Sequence, residues 1–271
     1  RNWQRQDWNA ESKQGIKPFV TLPSIINDWF TARGWEPRRH QLEMLDAAVE
    51  GRHALLVAAT GAGKTLAGFL PTLRDLITEP ADGLHTLYIS PLKALAVDVR
   101  RNLLMPVDEM ALPIRIETRT GDTPSERKTR QRVKPPHILL TTPESLSLLL
   151  SHEDSVLLFS TLRRVIIDEV HAFANGKRGD LLSLSLARLQ ALAPDMQRVA
   201  LSATVSDPDD YRAWLAPAGD INLVRLVEGE AAAEPDLTIL LPEGRVPWAG
   251  HSGQHAIPQL IEEIGRNKIT L

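Results

Sequence analysis

The chain has 271 residues, a formal net charge of −3 at pH 7, 43% hydrophobic residues and 24% charged residues. This composition is typical of a soluble globular protein with room for one large α/β domain, or for one domain and part of another. The chain has no cysteine, which excludes disulfides and thiolate metal sites. Its apolar runs are too short to predict a membrane span. Because its net charge is close to zero, any nucleic-acid site must be a local face of the protein.

The first segments of the chain are predicted to lead up to a buried strand. Residues 1–17 are polar and lack periodicity, so we expect residues 1–20 to be an N-terminal extension. Residues 23–31 and 38–50 show the helical spacing of apolar side chains. Gly51 is predicted to end the second helix, and the apolar run 54–57 that follows predicts a strand.

A glycine-rich turn follows this strand and indicates a phosphate-binding loop. Residues 58–65 match the spacing G-x-x-x-x-G-K-[ST], except that Ala58 takes the place of the first glycine. The two glycines would let the backbone wrap a triphosphate, and the next helix adds the positive end of its dipole. Lys64 is expected to reach the β- and γ-phosphates, and the Thr65 hydroxyl to bind Mg²⁺. The predicted nucleotide-binding residues are Thr60, Gly61, Ala62, Gly63, Lys64 and Thr65.

Strands and helices alternate after this loop. Apolar runs predict strands at residues 86–90, 114–118, 138–142, 165–168, 198–201 and 221–227. Helical patterns lie between them at residues 92–104, 125–132, 144–150, 180–192 and 208–215. This alternation predicts an α/β domain over residues 21–227, with a parallel sheet covered by helices on both faces.

The composition changes at residue 228. Proline, glycine and alanine predict a connector, interrupted by a strand-like run at 237–241 and followed by a helix at 254–265. The chain begins at Arg1 rather than Met and ends on what resembles the start of a strand. We therefore expect residues 228–271 to be a connector and the truncated beginning of a second domain, in a fragment of a longer protein.

The strand predicted at 165–168 leads into Asp168-Glu169-Val170-His171. An acidic residue at the carboxyl end of a parallel strand lies where such sheets bind ligands, and near a phosphate-binding loop it is expected to help hold Mg²⁺. Glu169 is placed to orient and deprotonate an attacking water. The predicted catalytic residues are therefore Lys64, Asp168 and Glu169, and the predicted Mg²⁺ ligands are Thr65 and Asp168.

Together these motifs resemble those of superfamily 2 helicases. Residues 168–171 look like their DExH box, and residues 58–65 look like their motif I, which accounts for the alanine at its first position. Further landmarks follow in the expected order: Gln41 of the Q motif, residues 90–95 as motif Ia, residues 120–123 and 141–146 as two strand-contacting motifs, and residues 202–204 as motif III. Lys177-Arg178-Gly179 narrows the resemblance to the large helicase-related (Lhr) group, and most closely to its bacterial ligase-associated branch.

The resemblance implies a RecA-like P-loop NTPase domain and the start of a second one, with ATP clamped between them. It implies a 3′→5′ helicase or translocase on single-stranded or partly duplex DNA, with DNA-repair proteins as partners, in the bacterial cytosol. Gln41 would read adenine, and His171 would couple hydrolysis to movement through Ser202 and Thr204. Phosphates of the strand would be held by Pro91, Lys93, Gly121, Thr142, Pro143 and Glu144.

Several alternatives stay open at this point. RNA would be bound through the same phosphate contacts, and a nucleotide-gated scaffold would keep the loop without productive turnover. A small-molecule kinase would leave the Ser-Ala-Thr motif unexplained. The basic cluster of Arg115, Arg119 and residues 127–134 fits a solvated face as well as a nucleic-acid surface. Because the arginine finger would lie in the second domain, the 271 residues alone are expected to hydrolyse ATP poorly.

Overall fold

A computed structural model describes residues 20–173, 176–230 and 256–266, apart from the side chains at positions 95, 97 and 98. The chain divides into two units, Arg1–Ala232 and Ala233–Leu271. No helix within the described ranges is long and apolar enough to cross a membrane. The predicted N-terminal extension up to residue 19, the strand-like run 237–241 and the final strand lie outside the described residues.

A seven-stranded, all-parallel sheet forms the centre of the first unit. The strands are β1 (His53–Val57), β2 (Thr86–Ile89), β3 (Ile116–Arg119), β4 (Ile138–Thr141), β5 (Arg164–Ile167), β6 (Gln197–Ser202) and β7 (Val224–Glu228). Their spatial order is β3-β4-β2-β5-β6-β1-β7. Since all strands are parallel, all their carboxyl ends lie at one edge, where ligands bind in folds of this kind.

Nine α-helices are described in the first unit. They are α1 (Ser24–Ala32), α2 (Arg39–Val49), α3 (Lys64–Thr78), α4 (Lys93–Glu109), α5 (Ser125–Val133), α6 (Pro143–Leu150), α7 (Ser155–Phe159), α8 (Lys177–Leu192) and α9 (Pro208–Leu215). Apolar residues of α1 to α4 form one core, and those of α6 to α9 form another. The described part of the second unit is one helix, α10 (Ile257–Arg266).

Alternate side chains of each strand enter the two cores. Ala54 and Leu56 of β1 lie in the core with α1 to α4, whereas Leu55 lies in the core with α6 to α9. Strands buried on both faces have no polar side to show, which is why their sequences are continuous apolar runs. The predicted fold, a RecA-like α/β domain with helices on both faces of a parallel sheet, is confirmed.

Element ends differ from the predicted ones in a few places. Residues Ile221–Leu223, predicted as the start of a strand, form a 3₁₀ turn whose amide at Asn222 donates to Asp220 Oδ1 at 3.0 Å. This side-chain bond competes with the strand hydrogen bonds, so β7 begins only at Val224. The short helix Ser155–Phe159 was not predicted, because five apolar-rich residues carry no helical period.

Candidate nucleotide site and nucleic-acid interface

The carboxyl edge of the sheet divides into two neighbouring halves. In one half, β6 lies between β1 and β5, so the glycine-rich loop after β1 and the acidic pair after β5 flank the Ser-Ala-Thr motif at the end of β6. In the other half, β3, β4 and β2 end at the three motifs predicted to contact a strand. The amide of Asp168 donates to the carbonyl oxygen of Ile89 at 2.9 Å, which joins the two halves between β5 and β2.

The glycine-rich loop has the backbone that a phosphate cradle requires. Gly61 and Gly63 have φ angles of 79° and 78°, in the left-handed region that glycine adopts without strain. Helix α3 begins directly afterwards at Lys64, and the amide of Ala67 donates to the carbonyl of Gly63 at 3.0 Å. The first amides of α3 therefore lie beside the loop, where a helix N-terminus favours an anion.

Lys64 lies across this loop. Its Nζ donates to the carbonyl oxygens of Ala58 and Ala59 at 2.8 and 3.0 Å. The ammonium therefore lies among the loop's own carbonyls, close to where β1 ends. A lysine with three donors can hold one of these carbonyls while it contacts a phosphate oxygen.

Two residues of α2 contact the loop from the side. His40 is buried, and its Nε2 donates to the carbonyl oxygen of Ala62 at 3.0 Å, which fixes the proton on that nitrogen. Burial lowers the pKa of His40, so its imidazole is neutral at pH 7. Its Nδ1 has no hydrogen-bond partner among the described residues. Sequence analysis missed this contact, although His40 directly precedes the predicted Gln41.

Gln41 lies between the start of α2 and Gly63. Its Oε1 accepts a hydrogen bond from the amide of Arg38 at 2.9 Å, and its Nε2 is 3.0 Å from where a Cβ on Gly63 would lie. Gln41, Arg38, Gly63 and Trp35 line a cavity of about 460 Å³ next to the loop. Trp35 is half exposed, and the Arg33 guanidinium lies over its ring at 4.9 Å from the centroid, so a planar ligand would stack on the opposite face.

Asp168 is held at both carboxylate oxygens. The hydroxyl of Tyr88, from the neighbouring strand β2, donates to Oδ2, and the amide of Glu169 donates to Oδ1 at 3.0 Å. Tyr88 is fully buried and its ring stacks on Phe69 at 5.3 Å between centroids. Burial, together with the Asp168 charge, raises the pKa of Tyr88, so it stays a donor. Tyr88 is a positioning residue that the sequence pattern did not reveal.

The acidic pair continues into a hydrogen-bonded chain. His171 Nδ1 lies 2.9 Å from Ser202 Oγ, and Ser202 Oγ donates to the carbonyl of Thr204 at 2.8 Å. Since the serine proton goes to that carbonyl, His171 must donate to Ser202. Glu169 Oε2 lies 3.5 Å from the same His171 nitrogen. The structure thus brings together the residues predicted to couple hydrolysis to movement, with the backbone of Thr204 rather than its hydroxyl as the last acceptor.

Replacing Tyr88 by Phe is expected to weaken Mg²⁺-dependent nucleotide binding. The change removes the donor to Asp168 Oδ2 but keeps the ring stacked on Phe69. Loss of a residue that orients a metal ligand typically costs about 10–100-fold in metal affinity or activity. A Mg²⁺ titration of a fluorescent ATP analogue measures this shift. Tyr211→Phe, the other tyrosine, is the control, and an equal Mg²⁺ requirement in both variants would contradict a role for Tyr88.

The other half of the edge holds the residues predicted to contact a strand. Lys93 begins α4, and its Nζ pairs with Asp122 at 2.9 Å beside Gly121. Thr142 caps α6, since its Oγ1 accepts from the amide of Ser145 at 3.5 Å. Pro143 then starts the helix, where a missing N–H costs nothing.

Arg178 joins two of these motifs. Its Nε donates to Glu144 Oε1 at 2.6 Å, and its guanidinium also donates to the carbonyl oxygen of Pro91 at 2.9 Å. Arg178 lies in the first turn of α8, just after the acidic pair. A Cβ on the next residue, Gly179, would lie 1.8 Å from the carbonyl oxygen of Phe173, so only glycine fits there. Through its bonds to Pro91 and Glu144, Arg178 therefore links the motif Ia loop to the start of α6.

Known proteins with the same pattern of sequence and fold are helicases. The DEAD/DEAH box helicase family matches residues 38–211. The chain is 40% identical over 263 residues to the Lhr helicase/probable uracil glycosylase of Mycolicibacterium smegmatis, covering 92% of this chain and 17% of that protein. It is 39% identical over 252 residues to the Lhr helicase/uracil glycosylase of Escherichia coli, covering 83% and 16%.

A solved structure gives the same result. The helicase Lhr of Mycobacterium smegmatis, bound to single-stranded DNA and AMP-PNP, superposes with a TM-score of 0.74 and 36% identity over 90% of this chain and 32% of that one. The chain thus spans about a third or less of each of these proteins. The resemblance to the Lhr group is confirmed, whereas the ligase-associated branch appears in none of these names and stays a prediction.

Proposed function

The chain belongs to the DEAD/DEAH box helicase family, and from that premise we propose that it is the first motor domain of an Lhr-type, ATP-dependent DNA helicase. The main support is the division of the carboxyl edge. Phosphate-loop, acidic and coupling motifs share one half, strand-contacting motifs share the other, and a direct backbone bond between Asp168 and Ile89 joins them. A motor needs its nucleotide site and its nucleic-acid site on one rigid element, so that a structural change at one site alters the other.

The nucleotide half fits ATP and Mg²⁺. The left-handed glycines and the first amides of α3 suit the phosphates, and the cavity beside Gln41 and Trp35 suits the base. Thr65 and Asp168 would hold the Mg²⁺, which neutralises charge on the β- and γ-phosphates when bound. Asp168 fits this role because its carboxylate is fixed by Tyr88 at the edge of the sheet.

The reacting water would be handled by Glu169. Its backbone is in the left-handed region, at φ 48° and ψ 50°, an unusual conformation for glutamate of the kind that clusters at functional sites. Glu169 would orient the water and accept its proton. His171 would transmit the loss of the γ-phosphate to Ser202 through their hydrogen bond. Ser202 ends β6, the strand between the glycine-rich loop after β1 and the acidic pair after β5.

The strand half would hold DNA without reading its sequence. Helix starts at Lys93 and Pro143 present backbone amides, the Thr142 side chain is polar, and Lys93 adds a salt-sensitive charge. The solved Lhr relative was bound to single-stranded DNA, which favours DNA over RNA as the track. We further propose 3′→5′ movement, a second RecA-like domain that supplies the arginine finger, and a role in DNA repair, all three implied by the family resemblance.

The test is the ATPase rate of the protein that carries this chain and its second RecA-like domain. The rate is measured with no nucleic acid, with single-stranded DNA, and with single-stranded RNA of the same sequence. Stimulation by DNA well above that by RNA is the expected result. Equal stimulation would replace the DNA motor by a general nucleic-acid motor, and ATP binding without stimulation by either would favour a nucleotide-gated scaffold.

A further inference from the structure

A basic surface lies outside the motifs, along the edge strand β3. This strand pairs with β4 only, so its other side is open in the described part of the sheet. Beside it lies a groove of about 460 Å³ whose lining includes four arginines. They are Arg100 from α4, Arg115 just before β3, and Arg127 and Arg130 from α5. We call this the β3 groove.

Among the residues that the structure describes, most of the charge in the β3 groove is not neutralised. Arg130 pairs with Glu117 at 2.7 Å. Among the described residues, Arg100 and Arg115 donate only to backbone carbonyls, those of Ile116 and Pro135, which satisfy hydrogen bonds but carry no net charge. Arg127 is exposed, and within the described ranges its side chain has no hydrogen bond or ion pair. Three net positive charges therefore face one groove in a chain whose overall charge is −3.

The β3 groove runs into the strand half of the carboxyl edge. A second hollow, of about 400 Å³, is lined by Lys93, Thr120 and Asp122, beside Gly121. Thr118 and Arg127 line both this hollow and the β3 groove. The two hollows therefore adjoin at Thr118 and Arg127, so a strand held at Lys93 and Gly121 lies next to the β3 groove.

The chemistry of the lining favours phosphates over a peptide. Ile116, its one apolar member, is buried, so the groove offers no apolar pocket for a peptide side chain. Guanidinium groups make bidentate bonds to phosphate, and Arg100, Arg115 and Arg127 have N–H donors left. The neighbouring Arg119, in contrast, is buried against the Lys128 carbonyl and serves the fold.

We propose that the β3 groove holds the phosphate backbone of the nucleic-acid strand after it leaves the contacts at motif Ia and at Thr142, Pro143 and Glu144. This extends the strand site of the proposed function and rests on that function. β3 has four residues, which span about 13 Å at roughly 3.3 Å each, enough for a short stretch of backbone. The groove reads no bases, so the added affinity is independent of sequence.

The test removes the two exposed arginines of the β3 groove that form no ion pair with any described residue. Arg115→Ala with Arg127→Ala is compared with Arg163→Ala combined with Arg188→Ala, which removes the same charge from exposed sites on other faces. Binding of fluorescent oligothymidylates of increasing length is measured by anisotropy between 0.05 and about 1 M salt, concentrations chosen to resolve the counterion slope. The nucleotide AMP-PNP is present throughout.

In the groove variant, affinity for long oligomers is expected to fall about 10–30-fold near 0.1 M salt, with a log–log salt slope smaller by about 1.4, or 0.7 for each lost phosphate contact. Short oligomers should bind equally to both variants and to the protein without substitutions, which is called the parent here. If the groove variant and the control variant bind long oligomers alike, while the parent binds DNA, the groove proposal is wrong but the proposed function stands. If the parent binds no DNA, the proposed function itself fails.

A polyglutamate of matched length tests the other class of partner. It carries negative charge without phosphate groups. The proposal expects it to compete weakly and equally in both variants. Tight polyglutamate binding that is lost only in the groove variant would overturn the nucleic-acid assignment in favour of an acidic protein segment.

Discussion

Glu169→Gln is expected to lower kcat for ATP hydrolysis by about 10²–10⁴-fold and to leave ATP affinity within about twofold of the parent. The expected size is that of a general base, whose removal typically costs this much. Gln keeps the length and shape of Glu169 but cannot accept the proton of water. Because Asp168, Tyr88 and the glycine-rich loop are untouched, the groups proposed to bind nucleotide and Mg²⁺ stay in place.

The conformation of Glu169 sharpens this test. Its left-handed backbone, φ 48° and ψ 50°, costs about 1–2 kcal/mol for a residue with a Cβ. Gln pays the same cost, so the folded state should be unchanged. An oxygen or nitrogen of Gln can also remain near His171, whose nitrogen lies 3.5 Å from Glu169 Oε2. A change in kcat without a change in melting temperature would therefore come from the chemistry.

The measurements are steady-state ATPase with saturating single-stranded DNA, and the dissociation constant of a fluorescent ATP analogue. Glu153→Gln is the matched control, since Glu153 is exposed on a turn and belongs to none of the motifs. Normal kcat in Glu169→Gln would remove Glu169 from the catalytic step. A large loss of ATP affinity instead would give it a structural role in the site.

The sequence was sufficient where local chemistry dictates the structure. A left-handed turn needs glycine, so Gly61 and Gly63 could be located by spacing, and a doubly covered strand must be apolar, so β1 and β5 could be found as runs. Asp168 was predicted because a charge directly after such a run must lie at the edge of the sheet. The parallel α/β sheet follows from these same patterns, and the resemblance to superfamily 2 helicases implied that it is RecA-like.

The contacts that position the site residues depend on the order of the strands in the sheet, which the sequence pattern does not reveal. Tyr88 reaches Asp168 because β2 and β5 are neighbours, although two other strands separate them in sequence. In the sequence, Tyr88 looks like one more core residue of an apolar strand. Arg178 likewise reaches Glu144 and Pro91 only because three distant segments meet at one edge.

The basic cluster divides for a similar reason. Arg119 and Arg127 are close in sequence and equally charged, so composition could not separate them. In the structure Arg119 lies buried between β3 and α5, while Arg127 faces solvent beside the groove. Arg119 is buried because side chains alternate between the two faces of β3, and Arg127 is exposed because it lies on the solvent-facing side of α5. One cluster thus supplies both a structural residue and a candidate phosphate contact.

Lys64→Ala is expected to weaken ATP binding about 10–100-fold and to bring hydrolysis below detection. Hydrogen bonds that involve a charged group contribute about 1.5–3 kcal/mol, and each 1.4 kcal/mol is tenfold in affinity. Loss of the same charge from the transition state lowers the rate further, because the transferring phosphate group carries its charge there. Normal hydrolysis by this variant would overturn the assignment of the glycine-rich loop.

Lys93→Ala is the control for Lys64→Ala. It removes the same group from the strand half of the edge, where Lys93 pairs with Asp122. We expect it to leave ATP affinity unchanged and to weaken DNA binding. A fall in ATP affinity of equal size in both variants would mean that the effect is general to loss of positive charge.

A structural effect of Lys64 must still be separated from a phosphate contact. Its Nζ also donates to the carbonyls of Ala58 and Ala59, so the variant loses two bonds within the loop. Comparing AMP with ATP resolves the two roles, because Lys64 would contact only the β- and γ-phosphates. If Lys64 acts on those phosphates, ATP affinity falls and AMP affinity does not. If it acts by shaping the loop, both fall together, since the cavity beside Gln41 and Gly63 is built against that loop.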